Sequence, residues 1–96
     1  MAKGGWTYIM TNKPHGVLYT GVAAHLAQRV DQHRRGVGSK FCKRYGLTML
    51  VYAEPHDGID YAITREKAIK AWKREWKIQL IESINPEWKD LFDGLA

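Results

Sequence analysis

Apolar and polar positions along this chain follow two different periods, and the switches between them mark the elements. Residues 6–11, Trp-Thr-Tyr-Ile-Met-Thr, are β-branched and aromatic and predict a strand. Asn12 to Gly16 is a turn cluster, and residues 17–22 form a second strand candidate, so 6–22 reads as a hairpin. Strand side chains alternate faces, so Tyr8 and Tyr19 share a face and sit opposite each other if the register pairs them. Residues 23–35 change to a helical period. Leu26 and Val30 begin an apolar stripe, Arg29 and His33 share another face, and Gly36 and Gly38 end the helix.

Residues 36–46 read as a basic, glycine-bearing loop with Phe41 and Tyr45 interleaved, and residues 48–54 as a third strand broken by Pro55 to Gly58. A long helix is predicted over 59–83, with Asp57 or Asp60 as its N-cap. Its core stripe is Ala62, Ile69, Trp72, Trp76 and Leu80. Asn85-Pro86 stops it, and Asn85 as N-cap would start a short final helix with Trp88 and Leu91 packing inward. The order β-β-α-β-α-α predicts an α+β fold: a small three-stranded antiparallel sheet flanked by helices.

With 96 residues the chain is expected to form a single domain, 1–96, whose core draws on four Trp and five Tyr. Cys42 is the lone cysteine, so no internal disulfide forms, which suits a reducing compartment. The N-terminus lacks the apolar run of a signal peptide, and no stretch approaches a membrane span. A soluble, cytoplasmic protein without a membrane partner is the expectation. The net charge of +5 favours polyanions, although a basic solvated surface has the same composition.

Some residues break the pattern. At about 100° per residue, Glu66 falls within the Ala62–Ile69 stripe rather than on a polar face. A carboxylate there is costly unless it is paired with a cation or holds a metal, and the periodicity leaves both open. Lys67, Lys70, Arg74 and Lys77 recur beside it as a basic ridge: either a solvated helix face or a track for phosphates. Lys40, Lys43 and Arg44 with Phe41 and Tyr45 could extend that track, since aromatics among basic residues suit stacked bases beside a contacted backbone. Arg29 can clamp a phosphate and His33 can move a proton, although many surface helices carry such a pair. His15, His25 and His56 show no metal-ligand spacing and read as surface residues.

Taken in order, these pieces resemble the GIY-YIG nuclease superfamily. Trp6-Thr7-Tyr8 and Tyr19-Thr20-Gly21 are similar to the two halves of its signature. The spacing from Tyr19 to Arg29 to His33 matches, as do Arg65-Glu66-Lys67 and the run from Asn85 to Leu91. The resemblance covers nearly the whole chain and is closest to small stand-alone members, relatives of the N-terminal nuclease domain of the bacterial excinuclease C subunit. Trp6-Thr7 stands where Gly-Ile is the namesake, Thr20 replaces Ile, and Val22 occupies a place where several active relatives carry Lys or another polar residue.

The resemblance implies a DNA endonuclease of repair, recombination or defence that uses one Mg²⁺ or Mn²⁺. Glu66 would hold the ion. Tyr8 or Tyr19, lowered in pKa by cationic neighbours, would deprotonate water, and Arg29 would neutralise charge on the phosphate. His33 would relay a proton or contact the phosphate, and Asn85 would orient the metal shell or the phosphate while also serving as a helix cap. Two other functions are weighed beside it. One is a nucleic-acid-binding module of the same fold without activity. The other is an adaptor docking a protein partner through exposed aromatics around Trp88.

Overall fold

The computed structural model describes residues 4–95. The predicted hairpin forms: β1 (Gly5–Thr11) runs antiparallel to β2 (Leu18–Ala23). Next come α1 (Leu26–Arg34), α2 (Lys40–Tyr45) and β3 (Met49–His56), followed by α3 (Ile59–Lys70), α4 (Arg74–Ile84) and a 3-10 turn (Phe92–Leu95). β3 pairs antiparallel with the other side of β1, giving the strand order β2-β1-β3. The α+β fold with one three-stranded antiparallel sheet is therefore as the sequence predicts.

β1 is the central strand, and its two faces serve two cores. Tyr8 and Met10 face α1 and α2, in a cluster with Leu26, Val30, Cys42, Leu47 and Leu50. Ile9 faces α3 and α4, with Val51, Tyr52, Ile69, Ile81 and Trp88. The pairing of β1 with β3 slips between Ile9 and Met10, which face Tyr52 and Leu50. Val51 is the extra residue of this bulge, so Val51 and Tyr52 both serve the α3–α4 core while Leu50 serves the other.

Several boundaries differ from expectation. The 36–46 segment contains α2, capped by the Ser39 hydroxyl, which accepts from Cys42 N at 3.3 Å, and closed by Gly46 at φ 66°. β3 runs through Pro55, which is tolerated because β3 is an edge strand. α3 begins after Gly58, whose cap position carries no side-chain bond, rather than at Asp57 or Asp60.

The long helix is two helices, broken between Ala71 and Lys73. A straight helix over that span would be roughly 37 Å long, longer than the 36 Å greatest extent of the molecule. The break lets α3 lie across β1 and β2 while α4 turns back onto β3. In consequence Trp72 and Leu80 are only partly buried, and Trp76 is half exposed instead of continuing the core stripe.

The expected final helix is absent at Asn85, which instead caps the C-terminal end of α4. Trp88 and Leu91 do pack inward. Trp88 has φ 57° and stacks on His15, at φ 58° in the β1–β2 turn, with ring centroids 4.7 Å apart. Glu82 joins the two, accepting from Trp88 Nε1 at 2.8 Å and meeting His15 Nε2 at 3.3 Å. Buried Trp88 therefore offers no exposed aromatic patch.

Candidate active site

Tyr8 sits on the central strand, and its hydroxyl lies 2.7 Å from Nε2 of His33 on α1. Both side chains are buried. Tyr19 is on the same face but diagonal: it pairs with Met10, while Tyr8 pairs with Gly21. The Tyr19 ring centroid is 6.4 Å from that of Tyr8 and 5.4 Å from that of His33, so the three rings form a triangle. Tyr8 reaches His33 by lying across Gly21, where a Cβ would come within 2.6 Å of the tyrosine ring and hydroxyl. The signal for this close approach is a glycine inside a strand.

Arg29 lies one helical turn before His33, half-buried, and its charge acts on both Tyr8 and His33. Burial and then the neighbouring Tyr19 push the Tyr8 pKa far above the ordinary tyrosine value, and Arg29 opposes them with a smaller effect. The expectation of a lowered tyrosine pKa thus fails at Tyr8, because desolvation outweighs the cation. His33 is held below its usual value by burial first and Arg29 second, which favours the neutral imidazole. Its Nδ1 is buried and has no hydrogen-bond partner among the described residues. A Cβ on Gly38 would lie 3.0 Å from that atom, so a bare backbone borders it.

Glu66 approaches from α3. It is 9% exposed between Ala62 and Ile69 on the sheet-facing stripe, and its charge also reaches Tyr8. Its carboxylate pairs with Lys70 one turn on. The two readings of Glu66 are therefore not exclusive: it has a cationic partner, and its charge acts on Tyr8. The site offers one protein carboxylate, a hard oxygen donor. That donor set fits Mg²⁺ or Mn²⁺, ions that take few protein ligands and fill the rest with water and phosphate oxygens.

A hydrogen-bonded network anchors α3 beside Glu66. Arg65 Nε donates to both Glu54 oxygens, at 3.1 and 3.3 Å, and the Tyr52 hydroxyl donates to the same carboxylate. Burial and Glu54 push the Tyr52 pKa up to about 12. His56 Nε2 lies 3.1 Å from both Glu54 Oε2 and Thr7 Oγ1, and the Thr7 hydroxyl donates to Ala62 O on α3 at 2.9 Å. His56 is therefore an integrated residue rather than a surface one. Sequence spacing gives no sign of this network, whose members come from three elements.

Asn85 is not among the residues that meet at Tyr8. Its Nδ2 donates to Val51 O at 3.1 Å and Lys89 O at 2.8 Å, and its Oδ1 accepts from Lys89 N at 2.9 Å. The bond to Val51 O ties the segment after α4 to β3, and the two with Lys89 close the turn within that segment.

The basic residues divide. On α2, Lys40, Lys43 and Arg44 are exposed beside Phe41 and Tyr45. Phe41 lies 6.0 Å from Tyr19 and 4.9 Å from Tyr45 between ring centroids, and Arg44 lies 5.4 Å over the Tyr45 ring. An aromatic path with cations beside it thus leads outward from the tyrosine cluster. The ridge Lys67, Lys70, Arg74, Lys77 is not continuous, because the helix breaks within it. Lys67 and Lys70 belong to α3, and Lys70 is paired with Glu66. Arg74 and Lys77 belong to α4, where Arg74 donates to His15 O and Gly16 O at 2.7 and 2.6 Å and holds the hairpin turn.

Residues 4–79 match the GIY-YIG catalytic domain family. The chain belongs to the GIY-YIG family. UPF0213 proteins of Staphylococcus aureus strains Mu3, Mu50 and N315 are each 40% identical to it over 67 residues, covering 70% of this chain and 82% of theirs. No solved structure matches it. Membership places the chain in a nuclease superfamily, with nucleic acid as the class of substrate. The GIY-YIG signature also gains a geometric meaning. The tyrosine ending its first half, Tyr8, pairs with the glycine ending its second, Gly21. Thr7, in the place of the namesake Ile, buries its hydroxyl on a hydrogen bond and leaves no unsatisfied group. No helix of the described residues is long and apolar enough to cross a membrane.

Proposed function

We propose that this chain is a divalent-metal-dependent endonuclease that hydrolyses phosphodiester bonds in DNA, acting as a single nuclease domain in repair, recombination or defence. The observation that carries the proposal is the buried hydrogen bond between Tyr8 and His33, with the Tyr19 ring beside both and the charges of Arg29 and Glu66 acting on Tyr8. Packing alone gives no reason to bury a tyrosine on an imidazole whose other nitrogen has no partner among the described residues.

In the proposed mechanism Tyr8 acts through exchange rather than as a free phenolate. Its oxygen takes a proton from the attacking water as its own proton passes to His33 Nε2, so the hydroxyl stays protonated. Tyr19, partly exposed, orients the water or the phosphate. Arg29 compensates the charge that grows on the phosphoryl oxygens. Glu66, released from Lys70, would hold one Mg²⁺ or Mn²⁺. When bound, the ion supplies Lewis-acid polarisation of the phosphate and stabilises the leaving oxygen. Asn85 acts at a distance, by fixing the C-terminal segment. Lys40, Lys43 and Arg44, with Lys67 and Lys77, attract the DNA backbone.

A second reading is a binding module without cleavage. It is favoured by the Lys70 ammonium, which occupies the Glu66 carboxylate, and by Val22 in place of a polar neighbour.

The test incubates the purified protein with labelled duplex, flap, branched and single-stranded DNA in Mg²⁺ or Mn²⁺, beside Glu66→Gln and Tyr19→Phe. Metal-dependent cutting abolished by Glu66→Gln and reduced about 100-fold or more by Tyr19→Phe supports the nuclease. Binding without cutting favours the second reading, and cutting that survives Glu66→Gln removes Glu66 from the mechanism.

A further inference from the structure

Two adjoining depressions open beside the tyrosine cluster, where β2 passes into α1. One, of about 260 Å³, is lined by Ala23, Gln28, Arg29 and Gln32 among others. The other, of about 330 Å³, has Trp6 on its wall. They share Ala24, His25 and Gln28, and so adjoin there as a two-part hollow. Trp6 packs against the same core as Tyr8, which places the hollow on the catalytic face of the sheet. Arg29 belongs both to the hollow and to the tyrosine cluster.

We infer that this hollow is a nucleobase subsite, taking the base of one nucleotide next to the scissile phosphate and reading its edge through Gln28 and Gln32. The inference rests on the nuclease reading for where the phosphate lies. Gln28 and Gln32 are one helical turn apart and therefore on one face of α1. Neither side-chain amide hydrogen-bonds another group among the described residues. Each carries a donor and an acceptor, the pair that matches the hydrogen-bonding edge of a base. Trp6 is partly exposed and supplies an aromatic surface for a ring to rest on.

The lining also argues against other occupants. A phosphate pocket would gather cations, and here Arg29 is the one Lys or Arg in the wall. A hydrocarbon ligand would leave two amides and a guanidinium unsatisfied. A flat ring with a polar edge satisfies both the indole and the amides. Arg29 can then meet the phosphate attached to that nucleotide. A base in a concave site has left its stack and its pairing partner, so single-stranded oligonucleotides are the appropriate probe.

The experiment cuts single-stranded oligonucleotides that vary in all four bases at each position around the cleavage site, with the wild type and with Gln28→Ala/Gln32→Ala. The wild type is expected to favour one base at one fixed position by about tenfold. The double variant is expected to cut that favoured sequence no faster than the others. Equal cutting of all four bases by the wild type, or an unchanged preference in the double variant, would overturn the inference.

A second measurement separates the subsite from the nuclease reading. The four deoxynucleoside monophosphates are titrated without metal into ¹⁵N-labelled wild type, following the Gln28 and Gln32 side-chain amides and the Trp6 indole. Shifts at these groups that differ between bases support the subsite even if no DNA is cut. Absence of such shifts overturns it even if DNA is cut. The amide spectrum of the double variant confirms that it is folded.

Discussion

Tyr8 and Gly21 face one another across the β1–β2 pair, and a Cβ at position 21 would lie 2.6 Å from the tyrosine ring. The strand pairing thus fixes where the Tyr8 hydroxyl can go. Gly21→Ala is expected to push Tyr8 off His33, cost about 1–3 kcal/mol through overpacking, and lower cutting about 100-fold by misplacing the reacting groups. Urea unfolding and a cleavage assay check the two parts. Wild-type cutting by Gly21→Ala would show that the ring position does not matter.

Tyr8→Phe removes the hydroxyl and strands His33 Nε2 in a buried site. A stability loss of about 1–3 kcal/mol is expected, with cutting down by about 100-fold or more. Single-turnover cleavage at saturating DNA reads the chemical step. An unchanged rate would assign the proton transfer to Tyr19.

His33 gives a pH signature. Its imidazole is held below the usual value, so as pH falls the unfolded chain takes up the proton first, near about 6.5. The folded chain takes it up only at lower pH. The stability associated with the neutral ring is therefore full above the unfolded value and lost as pH falls through the folded one. Urea midpoints measured from pH 8 to 5 should drop more steeply for the wild type than for His33→Gln. Cutting should share this acid limb, with its midpoint below the ordinary histidine value. Parallel stability curves for the two proteins would mean that the ring is not shifted.

The hydrophobic pattern made most of this fold visible beforehand. The hairpin, the third strand and the burial of Ala62 and Ile69 all follow from period and residue type, because burial selects for those properties along a single element. Glu66 stood out for the same reason, as a carboxylate on a stripe that should be apolar. What stayed hidden depends on three-dimensional fit. The break at Trp72 arises because α4 must return over β3, and nothing local announces it. α2 is too short to show a period, although Ser39 and Gly46 mark its ends. The Tyr8–His33 bond joins residues 25 apart in sequence, and helix spacing alone showed only that Arg29 and His33 share a face. Asn85-Pro86 reads as a helix start in sequence because the same residues suit a C-terminal turn.

Asn85→Ala separates position from chemistry. Three hydrogen bonds disappear, and Val51 O and Lys89 N lose their partners. A cost of about 2–4 kcal/mol is expected from these losses together, with the cutting rate per folded molecule changed less than by Tyr8→Phe. Denaturant titration and active-fraction-corrected kinetics distinguish the two. Full stability combined with lost cutting would place the amide in the chemistry.

The cations of α2 should govern how salt affects DNA binding. Replacing Lys40, Lys43 and Arg44 with Ala is expected to reduce the slope of log affinity against log salt by about 2–3 for duplex DNA. Fluorescence anisotropy from 50 to 300 mM salt measures it. An unchanged slope would move the DNA to another face.

The C-terminal segment has a consequence beyond the site. β3 is an edge strand, and an edge invites another strand to pair with it. Here Leu91 N donates to Leu50 O at 2.7 Å, the Asp90 carboxylate accepts from Leu50 N at 3.1 Å, and Asn85 holds Val51 O. The segment after α4 thus occupies, at the Leu50–Val51 end of β3, groups that a second molecule would use to extend the sheet. Cutting the chain before Asn85 would leave that end of the edge bare, and self-association into longer sheets would compete with folding.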